Sequence, residues 1–247
     1  MVDDHVVAVG NLHLLENGRT GWMEGLRVHP DYRGKGYANE ITRYLVRKAE
    51  DLGVCRLRYT TSDENAASLK LAKMAGFSRL LEMSVLWAAS PRAVPPVKSY
   101  YPIEKATPAR TYELLQASSN IVPRGILIYD WKAVDSELQN FEEIGRTHEF
   151  YVALNKGEID SFSFGHLRQE FSETWSFTAY ARDSVGFLAQ LSYSLTKSLE
   201  LGCNRIMFTF DRKFEESAKH VDLQSEEQDL GHLVLLEKRI EQANRRQ

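Results

Sequence analysis

Cysteine is scarce in this chain. Cys55 and Cys203 are the only two in 247 residues, so no disulfide framework exists, and both are read as buried reduced thiols within strands. Charge of one sign is missing too. Lys and Arg nearly balance Asp and Glu, and the net charge of −3 gives no reason to expect nucleic acid or an anionic membrane as partner. No apolar run reaches eighteen residues and no signal peptide opens the sequence, which makes a cytoplasmic, non-membrane protein the expectation. The seven histidines fall into no HExxH-type or Cys/His spacing, so no metal site is expected. Proline is sparse except in one place. Pro91, Pro95, Pro96 and Pro102 crowd residues 90–102, a density no helix or central strand tolerates. A linker at residues 91–102 is therefore expected between domains at 1–90 and 103–247.

What is present begins with a hairpin. Residues 5–15 read as a strand, Asn17-Gly18 as the centre of a turn, and residues 22–28 as the returning strand. His29-Pro30 ends that strand. Then Arg33-Gly34-Lys35-Gly36-Tyr37-Ala38 leads into an amphipathic helix at residues 39–52, with Ile41, Leu45 and Ala49 on one face and Gly53 as its stop. Strand, glycine-rich turn and helix make an anion site. Unpaired N–H groups at the helix start converge, the helix dipole adds positive potential, and Arg33 and Lys35 supply charge. A pyrophosphate fits better than a single charge. The Walker loop is absent, and the dinucleotide fingerprint fails because Asn39 stands where its third glycine belongs.

Further along, residues 54–60 read as a strand and residues 64–75 as a helix capped by Ser62 or Asp63. A strand at residues 79–88 follows. Beyond the prolines the expected series is a strand at 100–105, a helix at 108–118 and a strand at 126–131. A helix at 135–145 and a hairpin of 149–154 with 158–168 come next. A strand at 174–181, a helix at 186–201, a strand at 204–210, a helix at 214–221 and a strand at 230–238 complete it, ahead of a charged tail.

The pattern Arg-x-x-Gly-x-Ala after Val-x-Pro resembles the coenzyme A loop of the GNAT superfamily of acyltransferases. Asn65, Leu71, Gly76 and Phe77 fall in register with a second family motif, Asn-x-x-Ala-x-x-Leu-Tyr-x-x-x-Gly-Phe, with Ser68 in place of its alanine. The resemblance covers about residues 5–88. It implies an α/β (α+β) fold with a mixed, mostly antiparallel sheet flanked by helices. It also implies acetyl-CoA as cofactor and transfer of the acetyl group, by direct attack, to a primary amine of a small molecule or amino acid. By resemblance, Leu26, Arg27 and Val28 pair with the pantetheine arm, the residues Arg33, Gly34, Lys35, Gly36, Tyr37 and Ala38 bind the pyrophosphate, and Asn65 meets the pantetheine side. The family's opening strand, two helices and further strand do not precede the hairpin, so either the chain is truncated or another element takes their place.

Glu24 is charged within an otherwise apolar strand, where a general base beside the thioester belongs. Alternatively it faces solvent or pairs with Arg56 or Arg58, arginines read as solvated. The family's usual thiolate protonator is a tyrosine, and Ala72 holds that position here. Tyr59 is the substitute acid to weigh, against a plain packing role. A non-catalytic acyl-CoA-binding regulator or scaffold is the alternative function, and monomer or homodimer the expected state.

The second half repeats the first. Residues 51–57, Asp-Leu-Gly-Val-Cys-Arg-Leu, align with residues 200–206, Glu-Leu-Gly-Cys-Asn-Arg-Ile, at an offset of 149, while Trp22 and Trp175 differ by 153. The second copy is read as a degenerate GNAT-like domain, four residues shorter where the phosphate loop lies, with Asp183 placed to repel a phosphate.

Overall fold

Alternating apolar residues build β1 (Ala8–Leu15) and β2 (Thr20–Val28), which pair antiparallel from Leu15↔Thr20 to Ala8↔Val28. The turn between them, Glu16–Gly18, runs through three left-handed residues. Glu16 is buried there, its carboxylate held by Arg56 at 2.6 Å and by the Thr20 hydroxyl. The computed structural model describes residues 5–92, 101–117, 121–168 and 173–240. The expected linker core at 93–100 and the charged tail lie outside those residues.

α1 (Tyr37–Leu52) lays Leu45 and Ala49 on this hairpin and ends at Gly53, whose φ of 72° only glycine adopts without strain. β3 (Arg56–Ser62) follows, parallel to β2. α2 (Ala66–Met74) starts later than expected. Its cap is Asn65, whose Oδ1 accepts from the Ser68 N–H at 3.0 Å, while the Ser62 hydroxyl accepts only from Glu64 N–H. β4 (Ser78–Ala89) returns the chain.

The second series opens with β5 (Ile103–Ala106) and α3 (Pro108–Ala117). The next stretch corrects the sequence reading. A hairpin of β6 (Ile126–Tyr129) and β7 (Lys132–Asp135) precedes α4 (Leu138–Gly145), where one strand and a longer helix were expected. Asp130 and Trp131 form the two-residue turn with φ of 44° and 77°. Such turns favour Asn-Gly, so an Asp-Trp turn leaves no signal. β8 (Glu149–Asn155), β9 (Glu158–Arg168), β10 (Thr174–Ala181), α5 (Ser184–Glu200) and β11 (Arg205–Asp211) come as expected. The helix expected at 214–221 shrinks to a 3-10 turn, Arg212–Phe214, and α6 (Glu215–Lys219), and the last strand, β12, is longer (Glu227–Arg239). Neither cysteine lies in a strand. Cys55 is exposed just before β3, and Cys203 is buried just before β11, where burial pushes its thiol up.

The chain divides into two compact units, neither a continuous segment. One comprises Met1–Leu81, Trp131–Ala133 and Val234–Gln247; the other comprises Glu82–Asp130 and Val134–Leu233. Both are mixed, mostly antiparallel sheets with helices packed on them.

Within the first unit the strand order is β1-β2-β3-β12-β4. The end of the chain completes this core. Val234, Leu236 and Ile240 are buried with Met23, Leu57, Ala72 and Phe77. The Ile240 N–H donates to Cys55 O at 3.0 Å, and Lys238 Nζ donates to Ala75 O at 2.9 Å, satisfying the C-terminus of α2. Arg58 was read as solvated. It is 2 % exposed and its Nε donates to Glu237 at 2.8 Å. A buried charge persists only where it is paired, and β12 supplies the pair.

Within the second unit the order is β12-β4-β11-β10-β9-β8-β5. β10 is buried along its whole length. Phe177, Phe187, Phe208, Phe210 and Phe214 stack into one aromatic core, with Phe177 and Phe208 rings 4.4 Å apart. Glu149 gathers Lys105 and Lys197 at 2.6 and 2.7 Å and the Tyr151 hydroxyl at 2.5 Å, contacts that hold its carboxyl down at about 2.

Candidate functional site

In the first unit β2 and β3 are paired only at their beginnings, Thr20↔Arg56, Gly21↔Leu57 and Trp22↔Arg58. Beyond Trp22 they part. The cause is local. Between Val9 and Asn11 the β1–β2 register slips, with Gly25 and Leu26 facing Gly10. Gly25 has φ of +66°, the mark of a bulge that bends its strand. The second half of β2, with Leu26, Arg27 and Val28, thus separates from Tyr59, Thr60, Thr61 and Ser62 of β3. Two facing strand edges carry backbone donors and acceptors that an extended chain can use.

The glycine turn lies where β2 ends. Pro30–Tyr32 forms a 3-10 turn, and Arg33 folds back to donate from Nε to Val28 O at 3.4 Å. Gly34 and Gly36 take φ of 76° and 90°, and a Cβ at either would meet nothing within 4 Å. Gly36 occupies the cap position of α1 without offering a side chain, so the first N–H groups of the helix stay open to a ligand. Among the described residues nothing accepts from the N–H groups of residues 34–38. Lys35 Nζ lies 4.7 Å from the Tyr32 ring and Arg33 is exposed; neither has a carboxylate partner among the described residues. Tyr32 packs on Tyr37 at 6.2 Å. Converging amides, a helix N-terminus and two free cations suit a diphosphate.

The proposed chemical residues fall at the mouth of the split. Glu24, one residue before the bulge, is half-buried and accepts from Asn11 Nδ2 at 3.0 Å. It pairs with neither Arg56 nor Arg58, which are engaged by Glu16 and Glu237. Tyr59 packs edge-on against Phe77 at 5.3 Å, and its hydroxyl donates to Ser68 O at 3.3 Å. Burial pushes that phenol up, a change only partly offset by the hydrogen bond. Ala72 is buried in the core. Asn65 uses its side-chain oxygen on the α2 cap, leaving its amide nitrogen.

Two neighbours were missed from sequence. Asn11 sits opposite Glu24 only through the hairpin register. Trp131 belongs to this unit although 71 residues separate it from Thr60, whose hydroxyl donates to Trp131 O at 2.5 Å.

This geometry can be set beside known proteins. Residues 1–77 match the model of the acetyltransferase (GNAT) family. That match spans about a third of the chain. Acyl transfer is the activity class of that family. The fold of both units is shared with solved structures. A GCN5-related N-acetyltransferase from Sphaerobacter thermophilus superposes with a TM-score of 0.65 over 94 % of this chain and 76 % of that one, at 14 % identity. A tandem GNAT protein from the clavulanic acid biosynthesis pathway gives 0.59 over 97 % and 81 %, also at 14 % identity. No curated protein matches the sequence. Among the described residues no helix is long and apolar enough to cross a membrane.

The second unit repeats the crossover without the site. β10 and β11 stay paired along six positions, from Thr174↔Arg205 to Ala179↔Phe210. At the start of α5 the Asp183 carboxylate accepts from Val185 N–H and Gly186 N–H, both at 2.9 Å. A Cβ on Gly186 would stand 2.6 Å from an Asp160 oxygen. Burial and then the Asp183 charge push the Asp160 carboxyl up. Ladder partners also adjust the sequence alignment. Leu57 faces Gly21 and Ile206 faces Trp175, so Trp175 corresponds to Gly21 and not to Trp22, and the second crossover is five residues shorter.

Proposed function

We propose that the chain transfers an acetyl group from acetyl-CoA to a primary amine of a small molecule or amino acid by direct attack, with the site in its GNAT domain. The observation that carries this reading is the junction of the β2–β3 split with the open glycine turn. One accommodates an extended pantetheine arm along Leu26, Arg27 and Val28; the other accommodates the pyrophosphate on the amides of residues 34–38 beside Arg33 and Lys35. The thioester supplies the activated acyl group. Glu24 takes a proton from the attacking amine, directly or through one water, and Asn11 orients its carboxylate. A backbone N–H freed by the bulge faces the thioester oxygen. Trp131 and Thr60 wall the acceptor side.

Thiol release from acetyl-CoA across a panel of amines tests this, with Glu24→Gln as control. The expected result is amine-dependent release that falls at least tenfold in kcat in the variant while coenzyme A affinity stays within twofold. An unchanged kcat with the true acceptor assigns Glu24 to structure.

A second reading, a non-catalytic acyl-CoA-binding regulator or scaffold, is favoured by one observation. Ala72 is buried where the family's tyrosine stands, and the nearby Tyr59 hydroxyl is aimed at Ser68 O. Coenzyme A binding without thiol release for any amine selects it. The tandem organisation, one active and one degenerate copy separated by a linker at 91–102, is also part of the proposal; it rests on the shared crossover and predicts one coenzyme A per chain. A cytoplasmic monomer or homodimer suits this role.

A further inference from the structure

Asp130, His148 and His166 converge in the second unit although they lie on three separate elements. His166 and Ser176 are cross-strand partners on β9 and β10, and His148 immediately precedes β8. The imidazoles of His148 and His166 overlap with centroids 4.1 Å apart. Asp130 enters from the β6–β7 turn, where it and Trp131 hold positive φ without glycine, a conformation that persists only when surroundings enforce it.

One carboxylate oxygen and two ring nitrogens face each other. Asp130 Oδ2 lies 2.7 Å from His166 Nε2 and 3.6 Å from His148 Nε2, and no two ligand atoms of the three residues are more than 4.8 Å apart. Their hydrogen bonding is incomplete. His166 Nε2 is buried and, despite the short approach to Asp130, makes no hydrogen bond of sound geometry. The Thr147 hydroxyl lies 2.8 Å from His148 Nδ1 and 3.4 Å from Ile144 O. With the proton on Nδ1, His148 Nε2 presents a lone pair toward the Asp130 carboxylate. The outer atoms are already oriented. Ser176 donates to Asp130 Oδ1 at 2.8 Å, Arg168 stands 3.8 Å from the same oxygen, and the Thr147 hydroxyl lies 2.8 Å from His148 Nδ1. Such outer contacts are what aim ligands at a metal.

We propose that Asp130, His148 and His166 bind a divalent first-row transition cation of zinc type, with coordination positions left for water. Two imidazoles and a carboxylate are the donor set borderline cations take. Bonds of ~2.1 Å place ligand atoms ~3–3.4 Å apart, and the two measured edges bracket that spacing. The cation ties the β6–β7 turn to β8 and β9. Arg168 offsets part of the carboxylate charge, so affinity is lower than for an unopposed triad.

The test uses the full chain, stripped with chelator and titrated with Zn²⁺ by calorimetry and with Co²⁺ by visible absorption. One Zn²⁺ per chain is expected, with a melting temperature that rises with free zinc. Asp130→Asn and His166→Gln each lower affinity at least 100-fold, and Ser176→Ala lowers it about tenfold. The Co²⁺ spectrum of the unsubstituted protein guards against variants that fail to fold: intense four- or five-coordinate bands support the site, whereas a spectrum like aqueous Co²⁺ overturns it. Zinc binding unchanged by both Asp130→Asn and His166→Gln also overturns it.

Discussion

The β2–α1 and β10–α5 crossovers share one topology and differ in everything that makes a binding site. In the first, glycine at position 25 bends a strand, its parallel partner is released after Trp22, and glycine caps the helix with bare amides. In the second, the parallel ladder runs unbroken, phenylalanines fill the space beside it, and Asp183 accepts from the helix amides itself. The difference teaches that the proposed cofactor slot is a controlled defect in a sheet. Removing the bulge and satisfying the amides turns the same crossover into core. Cations follow suit. Among the described residues Arg33 and Lys35 stand without carboxylates, whereas Lys105 and Lys197 are gathered by Glu149.

The largest expected effect comes from removing residues 234–247. The first crossover loses Val234, Leu236 and Ile240, worth about 5–9 kcal/mol of burial at about 1.5–3 kcal/mol each. That matches the whole stability of many domains. The truncated chain should lose coenzyme A binding and its cooperative melt for the first unit. A fragment of residues 1–90 that folds cooperatively and binds coenzyme A would refute this dependence.

Phe208→Ala probes the filled slot. Loss of a wholly buried ring should cost about 3–5 kcal/mol by denaturant titration and create no second coenzyme A site. Two sites of similar affinity, before or after substitution, would break the contrast. Gly36→Asp sharpens it from the other side. A side chain at φ of 90° and a negative charge where the diphosphate binds should weaken coenzyme A at least 100-fold by calorimetry, about 2.8 kcal/mol, with the fold retained.

The smallest effect concerns pH. The folded value of Glu149, about 2, lies below its ordinary 4.5, so its contribution is present above pH 4.5 and fades as pH falls toward 2. Glu149→Gln should melt slightly below the parent at pH 6, and the gap should narrow below pH 4.5 and close near pH 2. A gap that persists would assign the effect to packing of Tyr151. Solvent access keeps the difference small.

Much of the site was legible because its signals are local. A glycine pair after Val-x-Pro, with cations beside it and a helical repeat behind it, states the turn, the dipole and the charge within one stretch. The α2 cap was assigned to Ser62 or Asp63 and not to Asn65, since each of these three residues can accept from a helix start. The Asp130–Trp131 turn was not legible, because its residue types are not those that left-handed turns select. Arg58 was read as solvated because its partner, Glu237, is 179 residues away and no periodicity relates them.

The sequence by itself determined the strand, glycine turn and helix of the candidate anion site, the order of most elements and the absence of a glycine turn from the second crossover, since each follows from neighbours within a few residues. Only the tertiary structure decided that the last strand completes the first core, that Asn11 holds Glu24, and that Asp130 meets two histidines. Those depend on register and on chain closure over long separations, where burial of a charge or an apolar face selects one partner among many that local chemistry permits equally.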